Sequence, residues 1–86
     1  MIIQYTSNAL KHLEYWKKNN PKIYNKIKSL IKSIDNDPYS GIGKPEKLKY
    51  NLSGSYSRRI TQEHRIVYRV IPETNVLIIS MLGHYN

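Results

Sequence analysis

The chain has no cysteine, only six acidic residues among 86, and no long apolar run. The first absence rules out disulfides and thiolate-bound zinc as sources of stability. The second removes the clustered carboxylates that hold cations in two-metal nucleases, because the acidic residues are scattered from Glu14 to Glu73. The three histidines, His12, His64 and His84, show no ligand-like spacing, so neither a metal nor a cofactor is expected. Nowhere do the roughly 18 consecutive apolar residues of a membrane span occur. The start Met1-Ile2-Ile3-Gln4-Tyr5 lacks a basic segment followed by a long apolar one, so no export signal is read and a cytoplasmic location is expected. Eighty-six residues leave room for one hydrophobic core, and residues 1–86 are read as a single domain.

What the chain does have is positive charge: fourteen Lys and Arg against six Asp and Glu, a net +8. Phosphate backbones are natural partners for such a surface, and so is an acidic protein. Many of the lysines, Lys17, Lys18, Lys22, Lys26, Lys28 and Lys32 among them, simply solvate helix surfaces. Basicity alone therefore points weakly.

Residues 2–5 suit a short strand, after which Ser7 or Asn8 can cap a helix. Leu10, Leu13 and Trp16, with Ala9, follow helical spacing on one stripe. Asn20 is a good cap and Pro21 a favoured first helical residue, so a second helix begins there, with Ile23, Ile27, Leu30, Ile31 and Ile34 along one face. Asn36 to Pro45 is turn-rich. Strands are predicted over Lys47–Leu52, Ser55–Ile60, His64–Ile71 and Val76–Leu82, separated by turns at Ser53-Gly54, Thr61–Glu63 and Pro72–Asn75. The order β-α-α-β-β-β-β predicts an α+β fold, an antiparallel sheet with both helices on one face and the other face free for a ligand. If Ile66, Tyr68 and Val70 face the helices, Arg65, Val67 and Arg69 do not. If Tyr56 and Ile60 are buried too, a three-residue hairpin loop puts Arg59 beside Arg65, whereas a two-residue loop separates them.

Cleaving RNA without a metal needs a base for the 2′-hydroxyl, cations around the phosphorane and an acid for the leaving oxygen. Glu46, at the junction of loop and strand among Lys44, Lys47 and Lys49, is the carboxylate that could serve; taken alone it is an ordinary surface glutamate. Arg59 and Arg65 could clamp a phosphate, and Lys49 could add a point charge. His84 follows the last strand, and imidazole titrates near neutrality. Tyr85 could stack on a base or pack on a sheet edge.

These residues fall within longer motifs. Gly41 to Lys49 reads GxGKPExLK, Asn51 to Ile60 reads NLxGxxSRRI, Glu63 to Tyr68 reads EHRxVY, and His84-Tyr85 closes the series. The combination resembles the YoeB toxins of the RelE superfamily, over the whole chain. The resemblance implies a ribosome-dependent messenger RNA interferase, a metal-independent endoribonuclease that inhibits translation by cutting transcripts in the ribosomal decoding site. It further implies a cognate YefM-like antitoxin, acidic and partly disordered, and a homodimer. Carried over by position, Glu46 is the general base, His84 the general acid, Arg65 the transition-state clamp and Tyr85 an active-site aromatic. Lys49 and Arg59 match RNA-binding basic positions. Asn86, after the His-Tyr pair, departs from the pattern. Two other readings compete: a ParE-like toxin that cuts no RNA, and a non-catalytic RNA-binding module. The first class lacks the Glu46, Arg65, His84 and Tyr85 set. The second has no need of a carboxylate beside bound phosphate.

Overall fold

The first turn of the chain is set by a threonine. Thr6 sits in an extended conformation and its hydroxyl accepts the Ala9 N–H, which starts helix α1 at Ser7–Asn19. The cap therefore lies just before the expected Ser7 or Asn8. The structure, a computed structural model, describes residues 1–49 and 54–83. Ahead of α1, Ile2–Tyr5 form strand β1. Asn20 ends α1 by donating its N–H to the Trp16 carbonyl, and its side chain then accepts the Ile23 N–H to open helix α2, Pro21–Asn36. One residue thus closes one helix and opens the next, as Asn20-Pro21 predicts.

Ile27, Leu30 and Ile34 of α2 are fully buried, with Ile23 and Ile31 packed against them at the margin. Full burial of each such side chain stabilises by roughly 1.5–3 kcal/mol. On α1 the inward stripe is Ala9, Leu13 and Trp16; Leu10, expected inside, is half exposed. Residues 9, 13 and 16 repeat at helical spacing, and Leu10 lies about 100° round the helix from Ala9.

Four further strands follow: β2 at Glu46–Lys47, β3 at Ser55–Arg59, β4 at Arg65–Ile71 and β5 at Asn75–Ser80. The predicted strand Lys47–Leu52 begins one residue early, and among the described residues its ladder continues through the Leu48 N–H to the Ser55 carbonyl. Tyr50 to Ser53 lie outside the described residues. The sheet order is β1-β5-β4-β3-β2. Its β2-to-β5 part is antiparallel as expected, but β1 joins β5 in parallel, Ile2 opposite Asn75 and Tyr5 opposite Ile78, so the sheet is mixed. Because the helical hairpin returns the chain to the same side of the sheet, β1 can run alongside β5 in the same direction, a geometry that parallel strands need a long connection to reach.

One face of the sheet carries the core. Ile66, Tyr68 and Val70 of β4, Val76 and Ile78 of β5, and Met81 pack with Ala9, Trp16, Ile27, Leu30 and Ile34. The helices cover this face, and the alternation predicted for β4 holds.

Candidate active site

The face away from the helices is assembled by strand register. Arg59 and Arg65 stand directly opposite each other on β3 and β4, above a hairpin in which Ile60 N–H meets the His64 carbonyl at 2.9 Å. The closing pair leaves Thr61-Gln62-Glu63 as the loop, the length that keeps both arginines on one face. Thr61 rigidifies it, its hydroxyl accepting the N–H groups of Glu63 and His64. Across β2, Glu46 is paired with Ser57, which faces Val67 on β4. Glu46 thus shares the face of Arg59, two residues or roughly 7 Å along the strand, and lies on the order of 12 Å from Arg65 between Cα positions. Ser57 and Val67 between them are buried, while Glu46 and Arg59 are exposed at the rim.

Arg65 is oriented by its own hairpin. Its Nη1 donates to the carbonyls of Thr61, Gln62 and His64, at 2.9, 3.1 and 3.3 Å. Among the described residues Nε and Nη2 have no such acceptor, so part of the donor fork remains for an anion. The Arg65 backbone N–H takes the Gly83 carbonyl at 2.8 Å. Lys49 is exposed two residues past β2. His84 and Tyr85, the expected acid and aromatic, lie outside the described residues, as does Asn86.

Glu46 is delivered by the loop after α2, and that loop is built around Arg58, which the sequence reading did not single out. Arg58 is fully buried on the core side of β3, next to the exposed Arg59. Nε donates to Tyr68 Oη at 2.9 Å, Nη1 to Ser33 Oγ and the Ile42 carbonyl, and Nη2 to the carbonyls of Asp37 and Ser40. Tyr68 in turn donates its O–H to the Pro38 carbonyl, and burial raises its pKa above the usual 10.0. The Asp37 carboxyl is held below its ordinary value, first by the Tyr39 N–H and then by the Ser40 hydroxyl. Gly43 approaches so closely that the Arg59 N–H reaches its carbonyl at 2.6 Å. A signal for Arg58 was present: with Tyr56 and Ile60 inward, alternation puts Arg58 inward as well.

Two histidines set aside for lack of ligand spacing also have partners. His12 Nδ1 accepts the Met81 N–H and His64 Nδ1 accepts the Gly83 N–H. Burial lowers the His12 pKa below 6.5, in keeping with an acceptor nitrogen that carries no proton.

Over residues 5–85 the chain matches the family described as the YoeB-like toxin of bacterial type II toxin–antitoxin systems. The chain belongs to the YoeB toxin family. It is 47% identical over 85 residues to the toxin YoeB of Synechocystis sp., covering 99% of this chain and 98% of that one. The YoeB dimer of Staphylococcus aureus superposes with a TM-score of 0.90 at 45% identity, over 99% of this chain and 98% of that one. YoeB in the heterotetrameric YoeB–YefM toxin–antitoxin complex of the same organism gives 0.88 at 45% identity, with the same coverage. The fold is that of RelE-like toxins, and the YoeB family is one of toxins of toxin–antitoxin systems.

Proposed function

We propose that this YoeB-family toxin is a ribosome-dependent endoribonuclease, acting in the cytoplasm on messenger RNA in the decoding site. The observation that carries the reading is the gathering of Glu46, Arg59 and Arg65 on one sheet face, with the peptide that leads into His84 hydrogen-bonded to Arg65. Glu46 takes the proton of the 2′-hydroxyl, the 2′-oxygen bonds to phosphorus, and the bond to the 5′-oxygen breaks as His84 donates a proton to that oxygen. Arg65 offers the guanidinium N–H groups that have no acceptor among the described residues to the phosphorane oxygens, Arg59 and Lys49 add positive charge along the RNA, and Tyr85 stacks on a base. Side chains supply the charge that a metal would otherwise bring. The S. aureus complex supports a YefM-like antitoxin as the controlling partner, and the S. aureus dimer supports self-association.

The test uses a ribosome-bound message with a single 2′-deoxy substitution at the cleavage position. It should stay intact, while the unmodified control yields a 2′,3′-cyclic phosphate or 3′-phosphate and a 5′-hydroxyl. Normal cutting of the deoxy message, or 5′-phosphate ends in the control, would overturn the mechanism. In single-turnover assays Glu46→Gln and His84→Ala should each slow cleavage by at least about a hundredfold with little change in half-saturating concentration.

A further inference from the structure

The chain leaving β5 is held by a bracket of side chains distant in sequence. Trp16 Nε1 donates to the Met81 carbonyl at 2.8 Å, and His12 Nδ1 accepts the Met81 N–H at 3.0 Å. Two residues on, His64 Nδ1 accepts the Gly83 N–H at 2.9 Å, and the Gly83 carbonyl accepts from the Arg65 backbone at 2.8 Å. Trp16 and His64 meet edge to face, with ring centroids 4.9 Å apart, which joins the two halves of the bracket.

The Gly83 bonds act on different peptide units. Its N–H belongs to the plane shared with Leu82, and its carbonyl to the plane shared with His84. His64 fixes the first plane and the Arg65 backbone the second, so the rotation between them is set, and it has the left-handed φ of +75° that glycine tolerates. The Gly83 carbonyl is therefore anchored to Arg65, the residue whose guanidinium is read as the phosphate clamp. We propose that His64 is a positioning residue: by accepting the Gly83 N–H through Nδ1 it fixes, against the Arg65 backbone, the peptide that precedes His84 in the chain. This rests on the reading of His84 as the general acid. A bond to Nδ1 from a backbone N–H leaves His64 as the Nε2–H tautomer. Nε2 faces the Glu63 carboxylate at 3.8 Å.

Two substitutions of similar size separate this role from packing. Asparagine places an acceptor where Nδ1 was, and glutamine where Nε2 was. Both lose the imidazole edge against Trp16. Full-length His64→Asn and His64→Gln are compared with wild type for amide exchange at Gly83, for thermal unfolding, and for single-turnover cleavage of ribosome-bound message. Both variants should unfold at similar temperatures. His64→Gln should lose Gly83 protection and cut about ten- to a hundredfold more slowly at unchanged half-saturating concentration, the scale of a misplaced catalytic group. His64→Asn should retain protection and stay within about threefold of wild type, since its acceptor stands at the same place. The proposal is overturned if His64→Gln loses protection yet cuts at the wild-type rate, or if both variants are equally slow. A wild-type protein that cuts no message overturns the nuclease reading itself, a distinct failure visible before any variant is compared.

Discussion

Arg58 has five N–H groups and five acceptors, none of them a carboxylate. Neutral oxygens arranged around a buried guanidinium do the work of solvent, and the arrangement survives only while the fork is intact. Arg58→Met should lower unfolding free energy by at least about 2 kcal/mol, as expected when buried hydrogen bonds to a charged group are lost. Arg58→Lys should recover little of it, because one ammonium cannot span Tyr68, Ser33 and three carbonyls. Urea unfolding with an unchanged slope would measure both, and a lysine variant as stable as wild type would refute the fork argument. Arg58 was legible in the alternation of β3, yet what it binds was not. Ser33 is 25 residues away, and pattern reading reports which face a residue takes without reporting what waits there. The same blindness applied to His12 and Trp16, whose partner Met81 lies 69 and 65 residues on.

At the scale of elements, the sequence was most informative where local chemistry and burial agreed. Asn20-Pro21 and the isoleucine stripe defined α2, whereas the placing of Arg59 opposite Arg65 hung on a loop length left open by the sequence and fixed by the Ile60–His64 closing pair. It was least informative where tertiary contacts decide. Leu10 is apolar but off the stripe, and β1 pairs in parallel because of where the helical hairpin returns the chain. Among the candidate site residues, Glu46, Arg59 and Arg65 are brought to one face, whereas His84 and Tyr85 lie outside the described residues. Two glycines make a controlled comparison in the connections. Gly43 and Gly54 have nearly the same φ, +85° and +87°, but a Cβ on Gly43 would lie 2.7 Å from Leu30 Cδ2 and 3.1 Å from the Arg59 carbonyl, whereas near Gly54 only Arg69 Nε comes as close as 4.0 Å among the described residues. Both alanine variants carry the strain of a left-handed backbone. Gly43→Ala should be less stable than Gly54→Ala by about 1–3 kcal/mol, the effect of overpacking. Equal denaturation midpoints would show that the loop yields and that the close approach is not a constraint on Glu46.

For the molecule as a whole, charge is left largely uncompensated. The described residues contain one ion pair, the amino terminus with Asp35 at 3.7 Å, and a neutral His64 imidazole 3.8 Å from Glu63, against a net +8. Long-range attraction should therefore govern encounter with an acidic antitoxin segment. Raising salt from about 50 to about 500 mM should slow association by about tenfold or more, while dissociation changes much less. Stopped-flow mixing with the antitoxin encoded beside the toxin gene would measure this, and an on-rate indifferent to salt would exclude steering. The parallel pairing of β1 with β5 has a consequence in time as well as in shape. Thr6 reaches Ile79 across 73 positions, and among the described residues β1 pairs with β5 alone. During synthesis β1 emerges first and stays unpaired until β5 has followed it, so the sheet cannot close on a chain that is still short. Ribosomes stalled at successive codons would show α1 and α2 formed early and β1 protected last, as expected for a contact of such long loop closure. A nascent chain of this protein carries its helices well before it carries a finished site, because Gly83 and its bracket arrive only after the strand that β1 awaits.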